Sequence, residues 1–512
     1  MDNATTAPAN LAYESTPRHR LCLAGLLFLF VIVIYRLPHP GTEAMAVHKA
    51  IVDALLAGNN WGRQALVGSL DYPVLPSLSL LAAELLARLL RLNGPRLLLA
   101  VTQTWCIAYL FRITLRRRGW LAAPLAIALA IGLPQIRNSF FLLDPNWVSA
   151  VPLASAIFHL MLWHSGRGLR DLILTGVNCG LLSLCGLGPA LVGAVTAIAV
   201  FIEVRRIQAD IPQPPSTANA IPGASIPAAN RGTGMRSLLW SPFAYGACLW
   251  LLWNWLVMDD IFFSLRDAWQ RADTVRLSAL GEHAASAFPI TAALLVPLII
   301  LAVKSDLRMV SRCLMPATIL IPAVAMVASA LGLPPTGLIP LAAVQLLAVL
   351  VLVCLAEFNS RTIQIGAFVA CAFIAGLCFW QSLPPANPVV AETQAPSRQE
   401  LLAFIDQYWP ESRTVLYGVR LPAVYPDPQE KRFVARLDYQ ENAFLEQAQD
   451  EQLHILVPPA DGVYYPPEGS PLADIHANGK PWLLLEKQWS SNWQLWRCVI
   501  PAKNESRLDF LR

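Results

Sequence analysis

The sequence predicts a polytopic α-helical membrane protein that ends in a soluble α/β domain. Of its 512 residues, 55% are hydrophobic and only 14% are charged, whereas soluble domains carry about 25% charged residues. Several apolar runs approach the roughly 20 residues that a helix needs to cross a bilayer. Residues 398–512, by contrast, have the ordinary composition of a soluble domain. The chain is therefore expected to occupy a membrane and an aqueous compartment.

Short basic clusters between the apolar runs orient about eleven predicted transmembrane helices. Cytoplasmic loops of membrane proteins are enriched in Lys and Arg, so the N-terminal segment 1–20 and the basic stretch 116–118 are expected inside. This orientation places the first loop, 37–96, and the loop 136–145 on the outer side. The predicted spans are 21–36, 97–113, 119–135, 145–163, 171–186, 188–203, 238–257, 288–303, 313–331, 337–355 and 363–381.

The first outer loop contains two helical patterns. Residues 43–57 place apolar side chains at helical spacing, with the charged ones largely on another face, which predicts a helix lying on the membrane surface. Residues 75–92 fit two interpretations, a second interfacial helix or a true span with Glu84 paired to Arg88. A span there would make the next helix cross back and put the following basic stretch outside. The positive-inside bias therefore favours the interfacial helix.

Two segments rich in proline and small residues divide the chain. Residues 207–236 predict a cytoplasmic linker, because they contain almost nothing that could be buried in a core. The Pro-rich residues 382–397 predict a second linker. The membrane part then falls into the halves 21–206 and 237–381, and residues 398–512 form an outer, periplasmic domain.

The outer domain alternates helical and strand patterns, which predicts a small α/β unit. Helices are predicted at 399–408 and 441–452, and strands at 414–419, 454–457, 482–487 and 493–499. The domain also contains Trp482, Trp489, Trp493 and Trp496. Aromatic residues at strand spacing usually belong to a core, and stacking on sugar rings is the alternative.

Composition and motifs exclude several classes of function. The net charge is +4, and the arginines lie in short clusters instead of on one basic face, so a nucleic-acid partner is not expected. No CxxC or CxxH pair indicates zinc. The sequence has no P-loop, no Rossmann glycine fingerprint, no GxSxG and no HExxH. Any chemistry must therefore depend on individually placed polar residues.

Two acidic residues lie just outside predicted spans on the outer side. Glu43 follows the first span and Asp144 precedes the fourth. A carboxylate at this depth can accept a proton from an attacking hydroxyl, orient an acceptor or help to hold a metal ion. The alternative is structural, since either acid could cap the N-terminus of the helix that follows it.

Other candidates surround these acids in the sequence. Arg63 and Arg137 could bind a phosphate through two hydrogen bonds, or they could be arginines of ordinary loop salt bridges. His48 on the first interfacial helix could assist substrate binding. The adjacent Asp259 and Asp260 could hold a divalent metal, although adjacent acids at a membrane edge are usually solvated. No cofactor is certain from the sequence.

Several motifs follow one another in a recognisable order. They are Glu43, LLAGNNW at 55–61, DYPVLP at 71–76, RNSFFLLDPNW with Asp144, and Gly188 with Pro189 inside a later span. This order resembles the C-type (GT-C fold) membrane glycosyltransferases that use polyprenyl-phosphate sugars. The group includes aminoarabinose transferases and protein mannosyltransferases, in which an acid follows the first span and a proline motif closes the first loop.

The resemblance implies a GT-C-like fold and an inverting transfer of sugar from a polyprenyl-phosphate donor. The acceptor would be a glycan, a lipid or a protein at the outer face of a bacterial cytoplasmic membrane, with membrane lipids as further partners. Glu43 would act as base or acceptor-orienting acid with Asp144 as its partner. Tyr72 of the proline motif joins Arg63, Arg137 and His48 as a substrate-binding candidate.

The chain also departs from the family pattern. The usual Asp-Glu pair at the start of the first loop is Thr42-Glu43 here, and Leu187 precedes Gly188 where the aminoarabinose branch often has lysine. One alternative is therefore a non-catalytic lipid-binding or scaffold subunit of an envelope polysaccharide system. Another is a transporter of lipid-linked sugars, which predicts charges near the bilayer midplane, whereas the charges here lie at span ends.

Overall fold

The computed structural model of the protein divides into two compact units. The first comprises Met1–His39, Pro73–Trp253 and Thr274–Leu383, and the second Pro40–Tyr72, Asn254–Asp273 and Pro384–Arg512. The predicted outer loop 37–96 is thus shared between the two units. The described residues are 17–39, 42–56, 63, 66–67, 73–116, 140–166, 168–209, 228–266, 295–302, 306–330, 338–356, 398–408, 414–416, 433–435, 453–457 and 475–499.

The protein is a helical membrane protein, with a small sheet in its C-terminal part. The bounded helices are α1 Pro17–Arg36, α2 Glu43–Leu56, α3 Val74–Leu90, α4 Gly94–Arg116, α5 Trp147–Gly166, α6 Leu169–Leu181, α7 Leu187–Ala209, α8 Ala228–Met258, α9 Arg308–Ala330, α10 Leu338–Leu355, α11 Arg398–Tyr408 and α12 Ile475–Asn478.

Three of the described helices are long and apolar enough to cross a membrane. They are Gly94–Thr114 in α4, Trp147–Gly166 in α5 and Leu187–Arg206 in α7, which agree with the predicted spans 97–113, 145–163 and 188–203. Shorter apolar helices occupy Ala24–Arg36 and Pro340–Val353. The predicted spans 119–135 and 363–381 lie outside the described residues, and 288–303 is described only over 295–302.

The predicted span 171–186 is wrong as a continuous helix. Helix α6 has 13 residues and is followed by a 3₁₀ turn, Leu182–Cys185. Thirteen residues extend roughly 20 Å, less than the ~30 Å hydrocarbon core. The chain then turns at Gly186, whose φ of 115° only glycine adopts readily. Gly188 and Pro189 consequently lie in the first turn of α7, at the start of the candidate span Leu187–Arg206, where proline costs no helical hydrogen bond.

The predicted linker 207–236 is shorter than expected at both ends. Helix α7 continues to Ala209, and α8 begins at Ala228. Hydropathy alone missed both helix ends, because the residues there are small or polar. Residues 210–227 lie outside the described part of the chain.

Helices α3 and α4 form a tight hairpin. Arg91 closes α3 in the left-handed conformation with φ 54°, and the Leu92 amide donates to the Ala87 carbonyl at 2.8 Å. The Asn93 side chain then caps α4 by accepting the Arg96 N–H at 3.1 Å. These contacts fix where one helix ends and the next begins.

Helix α3 presents an exposed apolar face. Glu84 is buried whereas Arg88 is exposed. The exposed positions include Leu78, Leu85, Leu86, Leu89 and Leu90. With 17 residues, α3 is roughly 25 Å long, somewhat less than the hydrocarbon core. Its length and exposed leucines suit a helix in contact with lipid, and its predicted interfacial position remains a prediction.

The second unit contains a five-stranded sheet. The strands are β1 Thr414–Leu416, β2 Phe433–Ala435, β3 His454–Val457, β4 Leu483–Gln488 and β5 Gln494–Cys498. They are arranged in the order β2-β1-β3-β5-β4. Strand β1 is parallel to β2 and β3, and β5 is antiparallel to β3 and β4. Helix α2, from the predicted first outer loop, belongs to the same unit and contacts β2.

The predicted elements of this sheet agree closely with the structure, except for β2, which was not predicted. The core contains Trp482 and Trp493, and Trp489 and Trp496 pack partly buried against it. The Lys487 ammonium lies 5.1 Å from the centre of the Trp489 ring. Two of the four tryptophans therefore lie in the domain core and two pack against it, which agrees with their strand spacing.

Candidate functional site

The segment 140–146 brings Asp144 to the start of α5, a helix long and apolar enough to cross a membrane. Its Oδ1 accepts the backbone N–H of Asn146 at 2.9 Å, and its carbonyl accepts that of Trp147, the first residue of α5, at 3.3 Å. The capping role predicted for Asp144 is therefore present. A carboxylate has about four acceptor positions, so capping leaves capacity for a substrate proton.

Burial raises the pKa of the Asp144 carboxyl above its ordinary value. Hydrogen bonds from the backbone and the side chain of Asn146 act in the opposite direction and are the smaller effect. A carboxylate with a raised pKa is a stronger base than an exposed one and is better matched to proton transfer near neutral pH. Buried acids with perturbed pKa values also concentrate at functional sites.

A polar side chain from α4 and another from just after α1 contact the backbone of this segment. Gln103 of α4 donates its side-chain N–H to the Phe140 carbonyl at 3.0 Å. The ring of His39, just beyond α1, contacts the Phe141 carbonyl at 2.9 Å. The rings of Phe140 and Trp147 pack at 4.7 Å between centroids. The segment that carries Asp144 is thus held by contacts at Phe140 and Phe141 before the acid and at Trp147 after it.

Asn146 contributes a buried acceptor beside Asp144. Its side chain is 3% exposed, and its Oδ1 meets no donor among the described residues. A buried carbonyl oxygen without a donor costs free energy, so such atoms need an explanation in a native protein. Here the atom lies next to Asp144, at the start of a helix that is long and apolar enough to cross a membrane.

Glu43 is the first residue of α2, and the capping role suggested for it belongs to Thr42. The Thr42 hydroxyl accepts the Met45 N–H at 3.2 Å, which is the geometry of an N-cap. Glu43 lies in the second unit and Asp144 in the first, so the structure describes each acid within its own unit.

His48 is completely buried within α2. Burial lowers the pKa of its imidazole to about 3, so the ring is uncharged at neutral pH. It would offer a phosphate a neutral hydrogen bond and no positive charge. On the same helix, Lys49 and Asp53 form an ion pair at 3.1 Å, which supports the helix locally.

The remaining predicted residues are described unevenly. Arg63 is helical and exposed, whereas Tyr72 and Arg137 lie outside the described residues. An exposed guanidinium remains available to a phosphate or to a lipid headgroup.

The acids at 259 and 260 do not fit a metal site. Asp260 accepts the Phe262 N–H at 3.1 Å through Oδ1 and pairs with Arg266 at 2.9 Å through Oδ2. Asp259 occupies a left-handed turn position with φ 56°. Among the residues that the structure describes, no group of three or more His, Cys, Asp or Glu could hold a metal ion. Asp260 instead stabilises the turn after α8.

Sequence reasoning missed His39 and Gln103, which contact the segment that carries Asp144, and Asn146, which donates to Asp144. Asn146 had a local signal, because a polar amide directly precedes an apolar helix. Gln103 also stood out as a polar residue within a predicted span. For His39 the sequence offered only its place between two prolines.

Comparisons with known proteins give a likeness in structure and none in sequence. No protein-family profile and no curated protein matches the chain. The fold is similar to the crystal structure of ArnT from Cupriavidus metallidurans bound to undecaprenyl phosphate. The two chains are 13% identical with a TM-score of 0.48, and the alignment covers 93% of this chain and 97% of the other. A likeness at this level concerns the general course of the chain and assigns no role to a residue.

Proposed function

We propose that the protein is a membrane glycosyltransferase that moves a sugar from a polyprenyl-phosphate donor to an acceptor glycan, lipid or protein. The observation that carries the proposal is Asp144, a carboxyl with a pKa raised by burial directly before a helix long enough to cross the membrane. The order of the motifs from Glu43 to Gly188, which resembles the C-type enzymes, supports the same class.

In the proposed reaction an acceptor hydroxyl or amine attacks the anomeric carbon of the donor sugar. A new bond forms at that carbon while its bond to the phosphate oxygen breaks, and both electrons of the broken bond leave with the polyprenyl phosphate. The acceptor proton passes to a carboxylate. Because the leaving phosphate is already an anion, it needs little protonation, and the site needs one base and cationic stabilisation of the phosphate.

The residues divide these tasks. Glu43 and Asp144 supply the base and the acceptor-orienting acid, and the raised pKa of Asp144 makes it a suitable proton acceptor. Arg63 and Arg137 are proposed to bind the donor phosphate, since a guanidinium matches phosphate geometry. Tyr72 and the uncharged His48 are proposed as further substrate contacts.

The test uses the full-length protein in lipid nanodiscs with polyprenyl-phosphate sugars. Glu43→Gln and Asp144→Asn should each reduce turnover by about 10²-fold or more, the range lost with a general base. Asp53→Asn is the matched control, because it changes an acid on the same helix as Glu43 that is already paired with Lys49. Full activity in both acid variants would overturn the two-acid site.

Mass spectrometry of lipid that copurifies with the protein tests the donor class separately. A bound polyprenyl phosphate is expected. A preparation that retains membrane phospholipids and binds no added polyprenyl phosphate would contradict the proposal.

A divalent metal requirement is tested by chelation followed by metal addition. Asp259 and Asp260 are not proposed as ligands, so Asp260→Asn should keep turnover within about threefold in the presence of added metal. A turnover that depends on metal in the unaltered protein and loses that dependence in Asp260→Asn would reverse this assignment.

The scaffold alternative has one observation in its favour. Thr42 stands where the resembling enzymes usually have an acid, and it is occupied with capping α2. If the protein is a scaffold, the variant with both acids replaced should assemble with its envelope partners normally and the unaltered protein should show no turnover.

The proposed location is a bacterial cytoplasmic membrane with residues 398–512 on the periplasmic side. Alkaline phosphatase fused after Arg512 should be active, and a green fluorescent protein fused there should not fluoresce. The reverse pattern would place the C-terminal domain in the cytoplasm.

A further inference from the structure

The two ring nitrogens of His39 both contact backbone carbonyl oxygens. Nε2 lies 2.7 Å from the Ile34 carbonyl in the last turns of α1, and Nδ1 lies 2.9 Å from the Phe141 carbonyl. The side chain is 7% exposed. Pro38 and Pro40 flank it in the sequence, so helix α1 cannot continue through this position.

The chemistry of these contacts requires two hydrogens on the ring. A carbonyl oxygen only accepts, whereas a neutral imidazole has one N–H donor and one bare nitrogen that also only accepts. In either neutral tautomer one of the two short contacts would set a nitrogen lone pair against an oxygen lone pair. Only the imidazolium donates to both carbonyls.

We propose that His39 is a buried imidazolium and a positioning residue that ties the segment 140–146, and with it Asp144, to the end of α1. The positioning role rests on the proposed transferase function, while the protonation state does not. Hydrogen bonds from a charged donor are shorter and about twice as strong as neutral ones, so this contact can hold a segment in which only residues 140–141 are helical.

Among the described residues, Tyr35 and Arg36 lie near these contacts on α1, Arg96 lies on α4 and Asp144 lies on the segment 140–146 itself. The Tyr35 hydroxyl accepts the backbone N–H of Asn93 at 2.9 Å.

The ring hydrogens can be counted by nitrogen NMR on the full-length protein labelled with ¹⁵N-histidine in nanodiscs. A sample at about pH 5.5 gives the sharpest contrast, because His48 and His454, whose pKa values are lowered by burial to about 3 and about 4, keep a single ring hydrogen there. His39 should show two protonated nitrogens although it is similarly buried. A single ring hydrogen on His39 would overturn the inference.

The His39 signal can be assigned with and without a variant. His39→Gln should remove it. Labelling phenylalanine carbonyl carbons with ¹³C identifies it in the unaltered protein as well, because Nδ1 contacts the carbonyl of Phe141. The count of hydrogens therefore does not depend on the variant being folded.

The positioning role predicts a kinetic pattern. His39→Gln should lower kcat by about 10²-fold, the cost of misplacing a catalytic group by about 1 Å, with the KM for donor changed by less than about threefold. Tyr35→Phe, the control at the same end of α1, should keep kcat within about threefold.

The outcomes separate the two proposals. Unaltered turnover in His39→Gln overturns the positioning role. Absence of any turnover in the unaltered protein overturns the transferase proposal and the kinetic role with it, while two ring hydrogens on His39 would still confirm the buried imidazolium.

Discussion

Gly176 lies so close to Leu239 that a β-carbon added at position 176 would be 2.6 Å from the Leu239 carbonyl oxygen. One turn later, a β-carbon at Gly180 would be 2.7 Å from the backbone of Pro242. Gly176 and Gly180 form a G-x-x-x-G pattern on α6, and α8 packs against it backbone to backbone. Small residues at this spacing let membrane helices approach closely, where packing replaces the hydrophobic effect as the driving force.

Gly176→Ala should destabilise the membrane part by roughly 1–3 kcal/mol, because the new methyl group meets backbone atoms that cannot rotate away. Gly25→Ala in α1 is the matched control, since nothing lies within 4 Å of a β-carbon there. The control should be neutral or slightly stabilising, as alanine favours helix over glycine. Thermal unfolding in detergent compares the two, and equal unfolding temperatures would refute the close contact.

The same region shows what the sequence could and could not predict. The spans in α4, α5 and α7 were predictable, because length and apolarity are local properties. The break after Leu181 was not, since an average over a window hides the φ of Gly186. The glycine spacing itself was readable, although its partner helix was not.

The acids of the candidate site were predictable from the sequence, whereas the residues that contact the segment around Asp144 were not. Asp144 stood out because an acid before an apolar helix is unusual, and its capping role followed from helix geometry. The support from His39 could not be predicted, because its partner Phe141 is 102 residues away. Contacts of that range depend on tertiary packing, which motif spacing does not encode.

Asp144→Asn should be more stable than the unaltered protein at neutral pH. Because burial raises the pKa of Asp144 in the folded state, the folded protein favours the protonated acid. The stability gained from this preference is fully present at a pH below 3.8, the ordinary pKa of the carboxyl. It is lost as the pH rises through the raised pKa of the folded state. Asparagine carries no charge and still offers an oxygen to the Asn146 amide.

The expected gain is a rise of roughly 1–3 °C in unfolding temperature at pH 7–8, closing as the pH falls towards about 4. Asp53→Asn, on a partly buried ion pair between residues four apart on one helix, should show at most a small loss. Intrinsic fluorescence during heating measures both. A variant at 144 that is less stable at every pH would show that the ionised carboxylate stabilises the fold.

Acid should loosen the sheet of the second unit through His454. Burial, and secondarily the charge of Arg497, lower the pKa of His454 to about 4. The folded state therefore favours the neutral imidazole. The stability that this preference contributes is fully present above pH 6.5, the ordinary pKa, and is lost as the pH falls towards 4. The loss of stability near pH 4 should be on the order of 1–3 kcal/mol. Hydrogen exchange over His454–Val457, corrected for the intrinsic effect of pH, measures it. His454→Gln should exchange with much less dependence on pH, and an unchanged dependence would exclude His454 as the source.

Thr42 should stabilise α2 through its hydroxyl, which accepts the Met45 N–H at 3.2 Å. Thr42→Ala removes the cap and should cost about 1 kcal/mol, whereas Thr42→Asp keeps a capping oxygen and should be as stable as the unaltered protein. Thr42→Asp also restores the Asp-Glu order of the resembling enzymes, so its transferase turnover should equal or exceed that of the unaltered protein. Hydrogen exchange over Glu43–Leu56 reports the stability of the helix, and turnover on a polyprenyl-phosphate sugar reports the chemistry. Equal protection of the helix in the alanine variant would refute the cap, and a loss of turnover in the aspartate variant would show that a second acid at this position is harmful.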